Sequence, residues 1–166
     1  MARKSIYLAG VTLALLCAAA TAHAQERLFT EACGLWGTPP TLAMAIARVE
    51  SGMRPWAVNI QGRSYFPPDR ESALELARKA QARSQSFDIG LMQINSFWLR
   101  RFGLNPADII EPRINVILGC WILSEEMKRY GLSWRAIGAY HTSIDKNPSR
   151  AKAYANKVLS IWEVHK

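Results

Sequence analysis

The run from Pro112 to Tyr130 constrains the fold more than any other part of the chain. Proline can open a helix but not continue one, Gly131 stops it, and no further proline interrupts the stretch. Ile114, Ile117, Leu118, Trp121 and Ile122 fall at helical spacing on one face, and so long an apolar face must be covered by other elements. The rest of the chain supplies mostly helices to do so. Thr38-Pro39-Pro40 is expected to cap and start a helix whose positions Leu42, Ala45, Ile46 and Val49 are core, ending near Gly52. Asp69 to Gln85 reads as a polar helix, and Phe97 to Phe102 as a short one stopped by Gly103. Ser133 to His141 and Ser149 to Val164 supply two more, the last with Ala151, Tyr154, Ala155, Val158, Leu159 and Trp162 on its core face. Val58 to Phe66 instead alternates apolar and polar residues around Gln61-Gly62, a small hairpin closed by Pro67-Pro68. The fold class expected is mainly α (α+β): a helical bundle with a small β-hairpin element and no internal repeat.

Composition narrows the setting. The chain has 166 residues, 49% apolar and 20% charged, which fits one globular domain and excludes a disordered or polytopic membrane chain. Its formal net charge of +8 excludes a strongly acidic interior or a polyacidic tail, yet the basic residues are scattered along helical stretches, so solvated faces are expected and nucleic acid is not an expected partner. Arg3 and Lys4 precede an uncharged apolar run, Ile6 to Leu16, and Ala22-His23-Ala24 offers small residues to a signal peptidase. Residues 1–24 are therefore expected to be a cleavable signal peptide and residues 25–166 the exported domain, periplasmic or secreted, with no stable membrane anchor after cleavage. Cys17 leaves with the signal, and the even pair Cys33 and Cys120 is expected to form one disulfide in an oxidising compartment, two buried thiols being the alternative. Closing so long a loop is worth about 4–5 kcal/mol on the chain-entropy model.

Chemistry-bearing motifs are few. The sequence has no Gly-rich phosphate loop, no His/Cys spacing for a metal and no Gly-x-Ser-x-Gly elbow. It does place Glu50 at the inner end of an apolar helix. Withdrawal from water disfavours a carboxylate's anion, the environment a general acid needs, although pairing with Arg48 or Arg54 is an equally simple reading of such a residue. Downstream, Phe87-Asp88-Ile89-Gly90-Leu91-Met92-Gln93-Ile94-Asn95-Ser96 combines a Gly where backbone comes close, an amide with donor and acceptor, and an apolar floor, which suits a pocket for amide-bearing sugars.

Glu50-Ser51, Gly90-Leu91-Met92-Gln93 followed by Ile94-Asn95, and Ala139-Tyr140 in the next-to-last helix resemble, in order, three motifs of the soluble lytic transglycosylase family, with Tyr154 resembling a fourth landmark. The likeness spans about residues 29 to 162. It implies a lysozyme-like fold, peptidoglycan as substrate, and cleavage of the β-1,4 bond after N-acetylmuramic acid with closure of a 1,6-anhydro ring. By the same resemblance Glu50 is the single acid and base, Ser51 and Gln93 bind substrate or orient Glu50, Met92 lines the cleft, and Tyr140 and Tyr154 shape its floor. Gly90, Leu91 and Asn95 join them as substrate-binding positions. Core packing is the alternative for Met92 and both tyrosines. No metal and no organic cofactor is implied, a monomer is expected, and small exported members of this look accompany conjugation, pilus or secretion machines.

Two departures stand out. The third motif usually ends in Asn, and here it reads Ala139-Tyr140-His141, so His141 either supplies a substrate hydrogen bond or is only a helix-end residue. Asp69 to Ser86 looks inserted, and its charges either rim the cleft or are solvated. Asp88 opens a competing mechanism, because animal lysozymes carry an Asp two residues before the Gly of a similar stretch, as the second carboxylate of a retaining hydrolysis. A non-catalytic glycan-binding or assembly protein is the reading from another class.

Overall fold

The computed structural model describes residues 20–164, so most of the expected signal segment, Cys17 included, lies outside the described residues. Residues 20–34 are helical (α1), followed by α2 (Pro40–Ser51), β1 (Val58–Ile60), β2 (Arg63–Tyr65), α3 (Arg70–Ala82), β3 (Phe87–Ile89) and β4 (Ile94–Asn95). The chain continues through α4 (Ser96–Phe102), α5 (Pro106–Ile109), α6 (Pro112–Tyr130), α7 (Trp134–His141) and α8 (Pro148–Val164). The expected mainly helical class with a minor β element is what forms.

The core forms where α1, α2, α6, α7 and α8 meet, around Phe29, Leu42, Ile46, Leu123, Ile137 and Val158, each at most 1% exposed. Cys33 of α1 is bonded to Cys120 of α6 with Cα atoms 5.3 Å apart, tying the first helix to the central one. Thr38 does not cap α2, contrary to expectation. The N-cap is Pro39, without a side-chain hydrogen bond, and the Thr38 hydroxyl instead donates to the Cys120 carbonyl at 3.0 Å beside the disulfide. Pro40 at N1 has no N–H to satisfy, so the helix starts well without a polar cap.

The buried stripe of α6 is also offset from the one read in the sequence. Val116, Gly119, Cys120 and Leu123 are buried, while Ile114 is 41% exposed and Ile117, Leu118 and Trp121 are half-buried beside Trp36, Phe102, Leu104 and Ile109. From Val116 to Leu123 the helix is apolar on every side, so spacing alone did not identify its inner face.

The β element is larger than a hairpin. Four antiparallel strands stand in the order β2-β1-β3-β4, with Asn59 opposite both Ser64 and Asp88, and Asp88 opposite Asn95. Side chains alternate across a strand, so Val58, Phe87, Ile89 and Ile94 turn into the core, all 1% exposed or less. The polar row Ser64, Asn59, Asp88, Asn95 takes the other face. The sequence carried this signal in Phe87-Asp88-Ile89, too short a run to identify as a strand. The four-residue α5 escaped for the same reason, despite its Asn105 cap on the Ala107 amide.

Helix α3 begins as read, with Asp69 accepting from the Ser72 amide at 2.8 Å. Its Arg70 pairs with Glu111 and donates to the Ala107 carbonyl, which fastens α3 to the α5–α6 junction, while Lys79 pairs with Glu75 one turn away on solvent. None of its charges lines the cleft described next.

Candidate active site

One cleft of about 540 Å³ gathers Glu50, the sheet's polar row, Gln93, Tyr140 and His141. Each arrives for a local reason. Glu50 sits one residue before the end of α2, where Gly52 at φ 61° turns the chain left-handed and returns its amide to the Ala47 and Arg48 carbonyls. Its side chain is only 14% exposed. The expected alternative partners do not take it: among the described residues no ion pair joins Glu50 to Arg48 or Arg54, and Arg54 lies over the Phe66 ring instead. The partner is His141, whose Nδ1 is 3.7 Å from Glu50 Oε1. The imidazole stacks flat on Tyr154, with centroids 4.4 Å apart and planes 5° from parallel. This residue ends α7, and that same place puts it against the acid.

Asp88 is in the middle of β3 and caps nothing. Asn95 Nδ2 donates to its Oδ1 at 2.7 Å, while Asn95 Oδ1 caps α4 by accepting from the Phe97 amide. Burial pushes the Asp88 carboxyl above its ordinary range, the Asn95 bond opposes this, the Glu50 charge adds to it and the His141 charge subtracts. Both tyrosines hold their protons well above the usual phenol range. For Tyr140 burial leads, followed by the charges of Glu50 and Asp88, and for Tyr154 burial leads, followed by Glu50. The Tyr140 hydroxyl donates to the Met92 carbonyl at 2.8 Å. The Tyr154 hydroxyl is buried beside Glu50, and a hydrogen bond with that carboxylate is among the lesser causes that raise it.

The glycine motif divides between site and scaffold. Gln93 reaches the cleft with φ 45°, its Nε2 donating to the Ala57 and Gly90 carbonyls at 3.0 and 2.9 Å, so its amide oxygen is left for other partners. Gly90 has φ 86°, and a Cβ there would stand 2.2 Å from Asn115 Nδ2, so its role is to let Asn115 come under the turn. Leu91 and Met92 are buried at 3% and 0%, Met92 lying where a Cβ on Gly119 would strike its sulfur. Ser51 is 2% exposed and donates to the Ala47 carbonyl at 3.0 Å within its own helix. The structure thus brings Glu50, Asp88, Gln93, Asn95, Tyr140 and His141 to the cleft wall, sets Tyr154 behind His141, and leaves Ser51, Gly90, Leu91 and Met92 off the cleft lining.

Asn59, Ser64, Glu126 and Arg150 also line the cleft and were missed from sequence. Asn59 and Ser64 were readable once β1 was paired in register with β3; the other two needed the packing of α6 and α8. Among the described residues no group of three or more His, Cys, Asp or Glu side chains is placed to hold a metal, and no helix is long and apolar enough to cross a membrane.

Comparison with known proteins agrees with this geometry. Invasion protein IagB of Salmonella typhi is 41% identical over 104 residues, which cover 60% of this chain and 63% of IagB. Type IV secretion system protein virB1 of Brucella abortus is 29% identical over 104 residues, 61% of this chain and 43% of virB1. A peptidoglycan-binding-like protein of Escherichia coli O157:H7 is 27% identical over 146 residues, 84% of this chain and 78% of that protein. The matches to IagB and virB1 therefore span less than two thirds of those relatives. The model of the transglycosylase SLT domain matches residues 27–160, through every element from α2 to α7 and most of α1 and α8, and the chain belongs to that family.

Proposed function

We propose that this protein is a peptidoglycan lytic transglycosylase in which Glu50 alone carries both proton transfers. The observation that carries the reading is Glu50 itself: an acid 14% exposed, in a cleft walled by sugar-compatible amides, in a chain of the SLT family. Glu50 gives its proton to the glycosidic oxygen between N-acetylmuramic acid and the next N-acetylglucosamine, and the C1–O bond breaks. The muramoyl 6-hydroxyl then attacks C1 and returns its proton to Glu50, closing a 1,6-anhydro ring and leaving the enzyme unchanged. No water is consumed and no second carboxylate is needed. Gln93, Asn95 and Asn59 offer amides to the acetamido and hydroxyl groups of the strand, and Tyr140 and Tyr154, neutral throughout the working range, wall the acid from bulk water.

The chain is read as acting in the envelope after removal of residues 1–24, as a monomer, opening the wall locally for a spanning apparatus. This rests on the apolar leader, the disulfide and the names of the relatives, an invasion protein and a type IV secretion system protein.

Asp88 supports a second reading. It shares the cleft with Glu50, whose charge helps raise the Asp88 carboxyl, and a retaining hydrolase uses two such carboxylates, one as acid and the other as nucleophile. Mass analysis of muropeptides released from purified sacculi decides between them, because the anhydro product is one water lighter than the hydrolysis product. Anhydro products, with Asp88→Asn retaining activity within about tenfold, are expected. Reducing-end products together with a nearly inactive Asp88→Asn enzyme would transfer the assignment to hydrolysis.

A further inference from the structure

Neither mechanism above uses Glu126, the third carboxylate of the cleft. Glu126, one turn beyond Ile122 on α6, lines the same cleft as Glu50, yet its side chain is only 17% exposed. Its Oε2 is enclosed without any hydrogen-bond donor. The ion nearest to that oxygen, Arg129 Nη1 on the next turn, stands 3.6 Å away, beyond hydrogen-bond reach. Of the other carboxylates of the cleft, Asp88 accepts from the Asn95 amide at 2.7 Å, and Glu50 stands 3.7 Å from His141.

A buried acceptor left without a donor costs stability, so a fold selected for stability alone would replace Glu126 with an apolar residue. Retaining it in a cleft wall implies that its donor comes from outside the chain. Resting on the glycan reading of the cleft, we infer that Glu126 is a substrate-specificity residue that accepts a hydrogen bond from an acetamido N–H or a hydroxyl of a bound N-acetylated sugar unit. Phe97 and Trp98 line the same cleft and provide apolar surface of the kind on which a sugar ring rests. Burial shifts the Glu126 carboxyl upward, against the Arg129 charge and with that of Glu125. Neutral or ionised, it keeps an oxygen acceptor, so a neutral N–H or O–H donor suits it in either state.

The test is equilibrium binding of chitotetraose, the β-1,4 tetramer of N-acetylglucosamine, by calorimetry in the Glu50→Gln background, where turnover does not interfere. Adding Glu126→Leu should weaken binding about tenfold, the effect of one lost hydrogen bond, while Glu126→Gln, which keeps an acceptor, should stay within about threefold. Thermal melting of Glu126→Leu should match or exceed that of its parent, because an unmet acceptor has been removed. Unchanged binding by Glu126→Leu overturns the inference, and so does a clear fall in melting temperature, which would make Glu126 a structural ion-pair member. Equal losses in the Leu and Gln variants overturn it as well, since charge rather than an acceptor would then matter. Muropeptide release by the parent enzyme is scored separately: its absence removes the lytic assignment while the binding comparison still reads Glu126, and a Glu50→Gln protein that binds no chitotetraose removes both.

Discussion

Two buried polar regions lie on either side of the Gly90 turn, and they are built on opposite terms. Beneath the turn, Asn115 of α6 is fully buried and fully used: Nδ2 donates to the Ile89 and Ile109 carbonyls at 2.8 and 3.0 Å, and Oδ1 accepts from the Met92 amide at 2.8 Å. Above it, the cleft holds Glu50 with an imidazole at 3.7 Å, Asp88 with one amide, and Glu126 with an oxygen that has no donor. Polar groups that hold the fold are saturated by the fold. Those placed for chemistry are left with capacity that only a ligand can take up, and the chain tolerates the cost because the hub below secures the turn that carries Gln93 and Asp88.

The largest effect expected is on the saturated side. Asn115→Ala leaves the Met92 amide and two carbonyls buried without partners, and at about 1–3 kcal/mol for each unmet group, softened by relaxation, the loss should be about 3–5 kcal/mol in urea unfolding. That is a large part of the stability of a typical domain. A loss under about 1 kcal/mol would break the comparison. Glu50→Gln probes the other side. It should leave the urea midpoint within a few tenths of a molar of the parent while lytic activity on sacculi falls by at least about two orders of magnitude. A folded Glu50→Gln protein with near-normal turnover would remove Glu50 from the mechanism.

The same division explains what the sequence revealed. Glu50 was legible because a carboxylate at the end of an apolar helix conflicts with its surroundings, and such conflicts stand out in a linear pattern. Asn115 was not, because a polar residue in a long helix reads as a solvent-facing one until its partners from β3 and α5 are placed around it. Ser51 and Met92 were carried to the cleft by motif resemblance, yet geometry puts them behind it, since a motif preserves scaffold residues as well as contacts. The helices were readable from period and punctuation. The third and fourth strands were not, because three and two residues carry too little alternation, and α6 hid its inner face by being apolar on every side from Val116 to Leu123.

Asp88→Asn sharpens the comparison through pH. Burial and the Glu50 charge raise the folded-state pKa of Asp88 above its unfolded value, so the folded state binds the proton more tightly and stability falls as pH rises through that interval. Ionised Asp88 is therefore a cost at neutral pH. The Asn variant, which keeps an oxygen for the Asn95 donor, should melt higher than the parent at pH 7, and the two should converge as pH falls through the carboxylate range. A parent that gains stability with rising pH relative to Asp88→Asn would place Asp88 among the saturated, structural groups.

Tyr140 gives the smallest expected effect because it belongs to both regions. Its ring lines the cleft, but its hydroxyl turns down to the Met92 carbonyl at 2.8 Å, the residue whose amide Asn115 also holds. Tyr140→Phe removes that one neutral hydrogen bond and keeps the ring. The cost should be about 1 kcal/mol, a shift of a few degrees in melting temperature, because a single carbonyl loses its donor and no charge is exposed. With its proton held well above the ordinary phenol range by burial and by the charges of Glu50 and Asp88, the phenol should stay neutral at neutral pH. Activity at neutral pH should then change less than about threefold, with the shape of its pH profile unaltered. A drop of tenfold or more at unchanged melting temperature would mean that the hydroxyl leaves Met92 to serve the substrate, and Tyr140 would move from the hub to the chemistry.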